Sequence, residues 1–373
     1  MDSPSRADDR APSRRPRGCR LVTTSLTARV LLANQLQRLS DIDWTVVSGD
    51  AYDDAPEGVS VRVVPMRREF SPSDVGAFVG LWRLLRRERF DVVQTHTPKA
   101  SFLGLPAARL AGSRAVYTVH GALYFDGNGA WSNVLGWCFE RWCCQWADQV
   151  LVQSREDERV LPAVRICPSR KVTFVGNGIV MSRFLEPVAP ALHSPLPIVM
   201  MVSRLVREKG CADFLAIAES LAGRAEFIHV GPSEHDQSDA LTEEEVDAGR
   251  GFVQFVGPVA DVRPYLASAD VVVLPSYREG IPRAVIEAAT MGRPVAAYDI
   301  RGVREVIDPA SGLLAPRGDR VALAGIIVGL LDDLVRARAL GGQGRARVVE
   351  RFDEDRVIER LNATYATLGV GAA

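Results

Sequence analysis

Val271-Val-Val-Leu-Pro275-Ser-Tyr-Arg-Glu279-Gly280-Ile281-Pro282-Arg283-Ala-Val-Ile-Glu287-Ala-Ala289 reads as a buried strand, a glycine-containing turn and a helix. The apolar run stops at Pro275, and Pro282 suits the first turn of a helix because its missing N–H would have no partner there. The backbone from Gly280 to Arg283 then sits at the helix start, where unpaired amides and the macrodipole favour an anion such as phosphate. Glu279 lies at the rim of the turn and Glu287 about two helical turns from it. Two carboxylates so placed can hold hydroxyls at the two ends of an elongated ligand. A plain strand–turn–helix with solvated glutamates is the competing reading.

The same alternation runs outward in both directions. Upstream, β-rich runs open at Leu21, Trp44, Val61, Asp91, Ala115, Val150 and Val172. Helical patterns fall between several of them, at 75–87, 100–111, 131–146 and 156–165. In the second half, strands open at Ile198, Phe227, Val253, Val271 and Pro294, with helices at about 211–221, 262–267 and 282–291 and a purely helical pattern from about Arg320. Repeated β–α alternation predicts doubly wound parallel sheets. The segment 185–197 holds four prolines, at 187, 190, 195 and 197, and reads as a linker. The expected organisation is a disordered tail over 1–18, one Rossmann-like domain over 19–184, and a second over 198–373 whose last helix returns to the first. A cleft between two such sheets is a natural ligand site.

A second chemical run is Met201-Val-Ser203-Arg204-Leu-Val-Arg207-Glu208-Lys209-Gly210, which follows the first strand of the second half and opens a helix. Cations converge there where a phosphate fits. The chain of 373 residues has 45 Lys+Arg against 46 Asp+Glu, which excludes a globally basic nucleic-acid coat. Only three of the cations are lysines, Lys99, Lys171 and Lys209. Lys209 before a helix opposes the macrodipole, and a bound polyanion would offset that.

Other classes lose ground on missing patterns. Neither GxGxxG nor GxxxxGK[ST] occurs, nor does GxSxG or HExxH. The triplets Asp41-Ile-Asp43 and Asp353-Glu-Asp355 carry little weight as metal sites, and no metal is expected. No apolar run reaches the length of a membrane span, and the Arg- and Pro-rich start has no signal-type apolar core. The six cysteines form no CxxC pair and read as thiols of a reducing cytoplasm. The basic amphipathic stretch 78–89 reads as a surface helix of the sheet, with contact to an anionic membrane as the alternative. Four of the six tryptophans fall between Trp131 and Trp146, and this stripe reads as core more readily than as an apolar contact surface.

Ser203-Arg204-Leu-x-x-Glu208-Lys209-Gly210 followed by Glu279-Gly280-x-Pro282-x4-Glu287 resembles the retaining family-4 glycosyltransferases of GT-B fold. Val256-Gly257-Pro258-Val259, Gly302-Val-Arg-Glu-Val-Ile and Ser311-Gly-Leu-Leu-Ala-Pro extend the likeness. So do Thr95-His96-Thr-Pro-Lys99, Thr118-Val-His120-Gly121 and Gly176-Asn177-Gly178-Ile179, and the resemblance spans about 19–368. It implies that Arg204 and Lys209 grip the donor diphosphate, with Ser203 beside them. Glu279 would hold a sugar hydroxyl, while Gly280, Ile281, Pro282 and Arg283 line the sugar or phosphate. Glu287 would bind the ribose, Gly257 and Val259 the base, and His120 would face the anomeric centre. Thr24, Ser25, His96, Lys99 and Asn177 fall on the acceptor or cleft side.

Many relatives carry Gly-Gly in the first βα loop, where this chain has Thr23-Thr24-Ser25-Leu26-Thr27. Hydroxyls still donate to phosphate there, with less close backbone approach. The resemblance implies a metal-independent, retaining hexosyl- or N-acetylhexosaminyltransferase using a nucleoside-diphosphate sugar, UDP before GDP. Its acceptor would be a glycan, polysaccharide or lipid-linked saccharide. Capsular and lipid-linked branches are nearest. A small-molecule natural-product acceptor, a sugar-nucleotide epimerase and a non-catalytic sugar-nucleotide-binding module are the alternatives. A cytoplasmic enzyme is expected, with peripheral membrane contact left open and no nucleic-acid partner.

Overall fold

The structure, a computed structural model, describes residues 14–67, 69–125, 127–233 and 239–370. Seven strands form a first sheet: β1 (Arg17–Leu21), β2 (Asp43–Ser48), β3 (Ser60–Val63), β4 (Val92–Thr95), β5 (Arg114–Val119), β6 (Gln149–Val152) and β7 (Val172–Phe174). Their order is β3-β2-β1-β4-β5-β6-β7. Six more form a second: β8 (Ile198–Val202), β9 (Glu226–Val230), β10 (Val253–Gly257), β11 (Val271–Leu274), β12 (Val295–Tyr298) and β13 (Leu313–Ala315), ordered β10-β9-β8-β11-β12-β13. Both orders reverse direction once, beside the first strand of the sheet, and the pairs on either side are parallel. This is the expected pair of doubly wound sheets, and ligands of such sheets gather outside the strands' carboxyl ends at that switch point.

The helices of the first half are α1 (Ser25–Leu31), α2 (Ala33–Arg38), α3 (Asp74–Glu88), α4 (Pro98–Ala111), α5 (Ala130–Trp146), α6 (Arg155–Ala163) and α7 (Met181–Leu185). Those of the second are α8 (Cys211–Ser220), α9 (Glu243–Gly249), α10 (Arg263–Ser268), α11 (Arg283–Thr290), α12 (Val303–Val306), α13 (Arg320–Asp332), α14 (Leu334–Arg351) and α15 (Glu354–Thr367). Every residue of β11 and of β4 is buried, as strands covered on both faces require. The helical C-terminal stretch from Arg320 breaks at Asp333, whose carboxylate caps α14 by accepting from the Arg336 N–H.

By packing, the chain divides into two units. One holds the described residues up to Thr118 together with 141–150 and 360–370; the other holds 119–140 and 151–359. The loops that follow β5, β6 and β7 therefore belong to the same unit as the second sheet. The expected tail falls, through residue 13, outside the described residues, while Arg17 and Gly18 already belong to β1. The proline-rich segment 185–197 is tied to α10, with the Ala191 N–H donating to Pro264 O and the Leu192 N–H to Ser268 Oγ.

Two readings of helices resolve differently. α3 buries Ala77, Leu81 and Leu85 and leaves Arg83, Arg86 and Arg87 exposed, a surface helix as expected. The tryptophan stripe of α5 is not simply core. Trp131 is 83% and Leu135 70% exposed, with Val134 and Cys138 also outward, while Cys143 and Cys144 are buried. The aromatic residues are spread around the helix, so one face packs and the other does not. Among the described residues, no helix is long and apolar enough to cross a membrane.

Candidate active site

The second sheet reverses between β8 and β11, and the two chemical runs leave from these two strands. After β8 the chain passes Ser203 and Arg204 and closes a short turn over Arg207–Lys209 before α8. Gly210 makes that turn possible. Its φ is +74°, and a Cβ there would lie 1.9 Å from Pro275 O. Only glycine lets the backbone after Lys209 press against the end of β11.

The two loops meet through charge. Lys209 Nζ donates to both Glu279 oxygens, each at 2.8 Å, and both side chains are mostly buried. One residue upstream, Arg278 donates to Glu208 Oε2 at 2.8 and 3.2 Å. Burial alone would raise the Glu208 carboxyl, but the Arg278 guanidinium, with Lys209 and Arg204, holds it below the ordinary carboxylate range. Arg204 is thus placed within electrostatic reach of the same cluster. Ser203 Oγ donates to Arg204 O at 2.9 Å and lies 3.3 Å from His229 Nε2. Burial lowers His229 to about 4, so at neutral pH it is an uncharged neighbour.

The helix start forms as read, one residue later: Pro282 is the N-cap and α11 begins at Arg283. Its first turn carries no acidic residue and Pro282 supplies no side-chain cap. Ile281 is buried in the core. Asn177, after β7, donates Nδ2 to Ile281 O at 3.0 Å and fixes the turn from the other side. Glu287 sits in the second turn, 3.9 Å from Arg283, and burial pushes its carboxyl above the ordinary range. Gly257 ends β10 with φ +82° and accepts at its carbonyl from the Gly231 N–H, so the following Pro258–Val259 bend leaves the sheet at the same edge.

His120 and Gly121 come against this turn. A Cβ on Gly121 would lie 2.9 Å from Gly280 N, and one on Gly280 would lie 2.7 Å from His120 O and 3.0 Å from Gln153 Oε1. The two backbones touch because both positions are glycine, and this brings His120 to the Glu279–Gly280 turn. Thirteen expected residues therefore share one unit: His120, Asn177, Ser203, Arg204, Lys209, Gly257, Val259, Glu279, Gly280, Ile281, Pro282, Arg283 and Glu287.

Four fall in the other unit. Thr24 caps α1 without a side-chain cap bond and lies 3.2 Å from Thr27 Oγ1. Ser25 donates through N and Oγ to Asp50, at 2.6 and 2.9 Å. His96 is buried, its Nε2 3.1 Å from Arg20 Nη1. Lys99 is 2% exposed. Its ammonium pairs with Asp74 at 2.6 Å, donates to Glu69 O and lies 4.9 Å from the centre of the Phe70 ring.

Several site residues were not singled out from sequence. Arg278 and Gln153 have no motif of their own. Asp213 accepts from Tyr277 and Tyr298 at 2.6 and 2.8 Å, and so anchors the loop that carries Glu279. Burial raises the Tyr277 hydroxyl to about 12. Such contacts link residues 64 and 85 positions apart, beyond any local pattern.

Comparison with known proteins places both halves of the chain among glycosyltransferases. Residues 30–183 match the model of Glycosyltransferase Family 4, and residues 196–333 that of Glycosyl transferases group 1. The capsular polysaccharide biosynthesis glycosyltransferase CapM of Staphylococcus aureus is 25% identical, over 93% of this chain and 96% of its own. The Escherichia coli UDP-Gal:alpha-D-GlcNAc-diphosphoundecaprenol alpha-1,3-galactosyltransferase is also 25% identical, over 87% and 88%. Sucrose-phosphate synthase of Thermosynechococcus elongatus shares the fold, with a TM-score of 0.80, 21% identity and coverage of 95% and 99%.

Proposed function

The chain belongs to the family-4 and group-1 glycosyltransferases, and on that premise we propose that it moves a hexosyl or N-acetylhexosaminyl unit, with retention, from a nucleoside-diphosphate sugar to an acceptor hydroxyl. It is a glycosyltransferase of polysaccharide or lipid-linked glycan biosynthesis, the setting of its long-range relatives. UDP is the favoured nucleotide, in line with the UDP-sugar named for the Escherichia coli relative. The lipid-diphosphate acceptor named there supports a lipid-linked saccharide as the acceptor class.

The observation that carries the reading is the Lys209–Glu279 pair beside the open start of α11. A diphosphate at that helix start meets amides and cations together. Glu279, held in place by Lys209, accepts from a sugar hydroxyl, and Glu287 accepts from the ribose. As the sugar–phosphate bond breaks, Arg204, Lys209 and the α11 amides stabilise the charge on the leaving diphosphate. The acceptor hydroxyl attacks from the same face, and its proton passes to a leaving phosphate oxygen. His120 lines the anomeric centre. The protein's own cations serve the role a metal plays elsewhere, so turnover persists in a chelator.

The test is an assay of the purified protein with UDP- and GDP-sugars, a polyprenyl-diphosphate saccharide acceptor and EDTA. Product anomeric configuration is read by NMR. Inversion would overturn the retaining mechanism, and loss of turnover in EDTA the metal-free one.

A further inference from the structure

Glu279 also lines a cavity of about 260 Å³. Its lining includes Tyr277, Glu279 and Asp299 together with four arginines, Arg278, Arg301, Arg304 and Arg317. Four guanidiniums thus face a space lined by two carboxylates, and Lys209 already occupies one of those, Glu279.

The arginines are unequally satisfied. Arg278 is paired with Glu208, and Arg304 with Asp299 and Glu156. Arg301 is only 8% exposed. Its Nη1 donates to Asp157 at 2.9 Å and to Tyr124 O at 3.1 Å, and its Nε lies 3.5 Å from Glu156. Its Nη2 has no hydrogen-bond partner among the described residues. That nitrogen, like Nε, has essentially no solvent-accessible surface, so Arg301 adds positive charge to the cavity wall and not an open donor. Arg317 donates to Gly127 O, and its guanidinium lies 5.6 Å from the Phe125 ring centre and 5.9 Å from that of Tyr277. No carboxylate among the described residues pairs with it.

We propose that this cavity selects an acidic sugar, taking the carboxylate of a hexuronosyl unit on the donor. The inference rests on the donor reading above and narrows its sugar. Three features favour it. Arginine forks match the two oxygens of a planar carboxylate. The Phe125 and Tyr277 rings flank the Arg317 guanidinium and hold it at the cavity. Glu279, assigned to a donor-sugar hydroxyl, lines the same cavity, whose volume suits one sugar ring and not a prenyl diphosphate. A neutral hexose in this place would leave Arg317 without an anion beside a wall of positive charge, so specificity comes from the lost pairing as much as from the gained one.

Calorimetric titration of the full chain with UDP, UDP-glucose, UDP-glucuronate and UDP-galacturonate tests it. The expected result is that one of the two acidic donors binds at least tenfold more tightly than UDP-glucose. In Arg317→Gln that acidic donor binds about tenfold more weakly, and the ratio to UDP-glucose narrows. Arg278→Gln provides a second variant, expected to narrow the same ratio. If UDP binds but acidic and neutral donors bind alike, the cavity has been misassigned while the donor site stands. If UDP itself does not bind, the donor reading fails and takes this inference with it. Turnover of UDP-glucose onto a glucuronide acceptor, lost in Arg317→Gln, would place the acidic sugar on the acceptor and overturn the assignment to the donor.

Discussion

Lys209 Nζ lies 2.8 Å from both carboxylate oxygens of Glu279, across 70 residues of sequence. The family resemblance implies roles at different parts of a ligand for these residues, one on phosphate and one on sugar. Their pairing explains how a cation tolerates the approach to α8 and how a mostly buried carboxylate stays in place without a ligand. On the proposed donor placement, a diphosphate that draws on Lys209 would loosen its hold on Glu279 and so couple the two ends of the donor.

Lys209→Ala and Glu279→Ala are each expected to lower turnover by roughly 100-fold or more, the usual scale for losing a charge-stabilising group. The pairing adds a second expectation. Lys209→Ala leaves a mostly buried carboxylate without its cation, so the double variant should melt higher than Lys209→Ala alone. Denaturation curves of the three variants check this. Additive losses would mean that the pair is not energetically coupled.

Glu287 gives a pH prediction. Burial raises its carboxyl in the folded protein, so the folded state binds its proton more readily than the unfolded chain. Its contribution to stability therefore falls as pH rises from the unfolded value through the raised folded one, and the penalty is complete above that. Glu287→Gln removes the penalty. The variant should be more stable than the parent at pH 8, and the gap should close toward pH 4. Its affinity for UDP should drop, because an amide is a poorer acceptor for the ribose hydroxyls. Thermal melts with and without UDP across that range read both effects.

Much of this was legible because it is periodic or local. The strand–turn–helix at 271–289 needs only an apolar run, a glycine and Pro282, and the cations after β8 stand in one short run. β13 escaped because three residues, Leu313–Ala315, carry no alternation. α1 escaped because Thr23-Thr24-Ser25 reads as loop, whereas Ser25 is held at the helix start by Asp50. Arg278, Arg301 and Asp213 act through partners 64 to 177 residues away. Such contacts depend on which loops the sheet order brings together. The outward face of α5 was misread for the same reason. Tryptophan is usually packed, and only the neighbouring elements decide which face is covered.

Asp213 should behave as a positioning residue. Its Oδ2 accepts from Tyr277 and Tyr298, and the Tyr298 ring is fully buried. Asp213→Ala leaves two hydroxyls without their acceptor, at about 1–3 kcal/mol each. Since Tyr277 precedes Arg278 and Glu279, the donor KM should rise with the loss of stability. Tyr298→Phe removes one hydroxyl alone and should cost about 1 kcal/mol with little change in KM. Urea denaturation and donor kinetics on the two variants separate anchoring of the loop from general destabilisation.

Lys99 illustrates the opposite outcome for one of the three lysines. Its ammonium is engaged by Asp74, Glu69 O and the Phe70 ring. Burial would raise the Asp74 carboxyl, but the Lys99 hydrogen bond and the Ser71 bonds hold it below the ordinary range. That contribution is present above the unfolded carboxylate value and is lost as pH falls through the lowered folded one. Lys99→Met should cost about 2–4 kcal/mol near neutral pH, because it strips a largely buried Asp74 of its cation. The cost should shrink in acid as Asp74 protonates. Asp74→Asn in the Lys99→Met background should recover part of the loss, since no unpaired carboxylate remains. A Lys99→Met protein that melts like the parent at pH 7 would show that the ammonium is not part of the structural support and return it to the pool of ligand-binding cations.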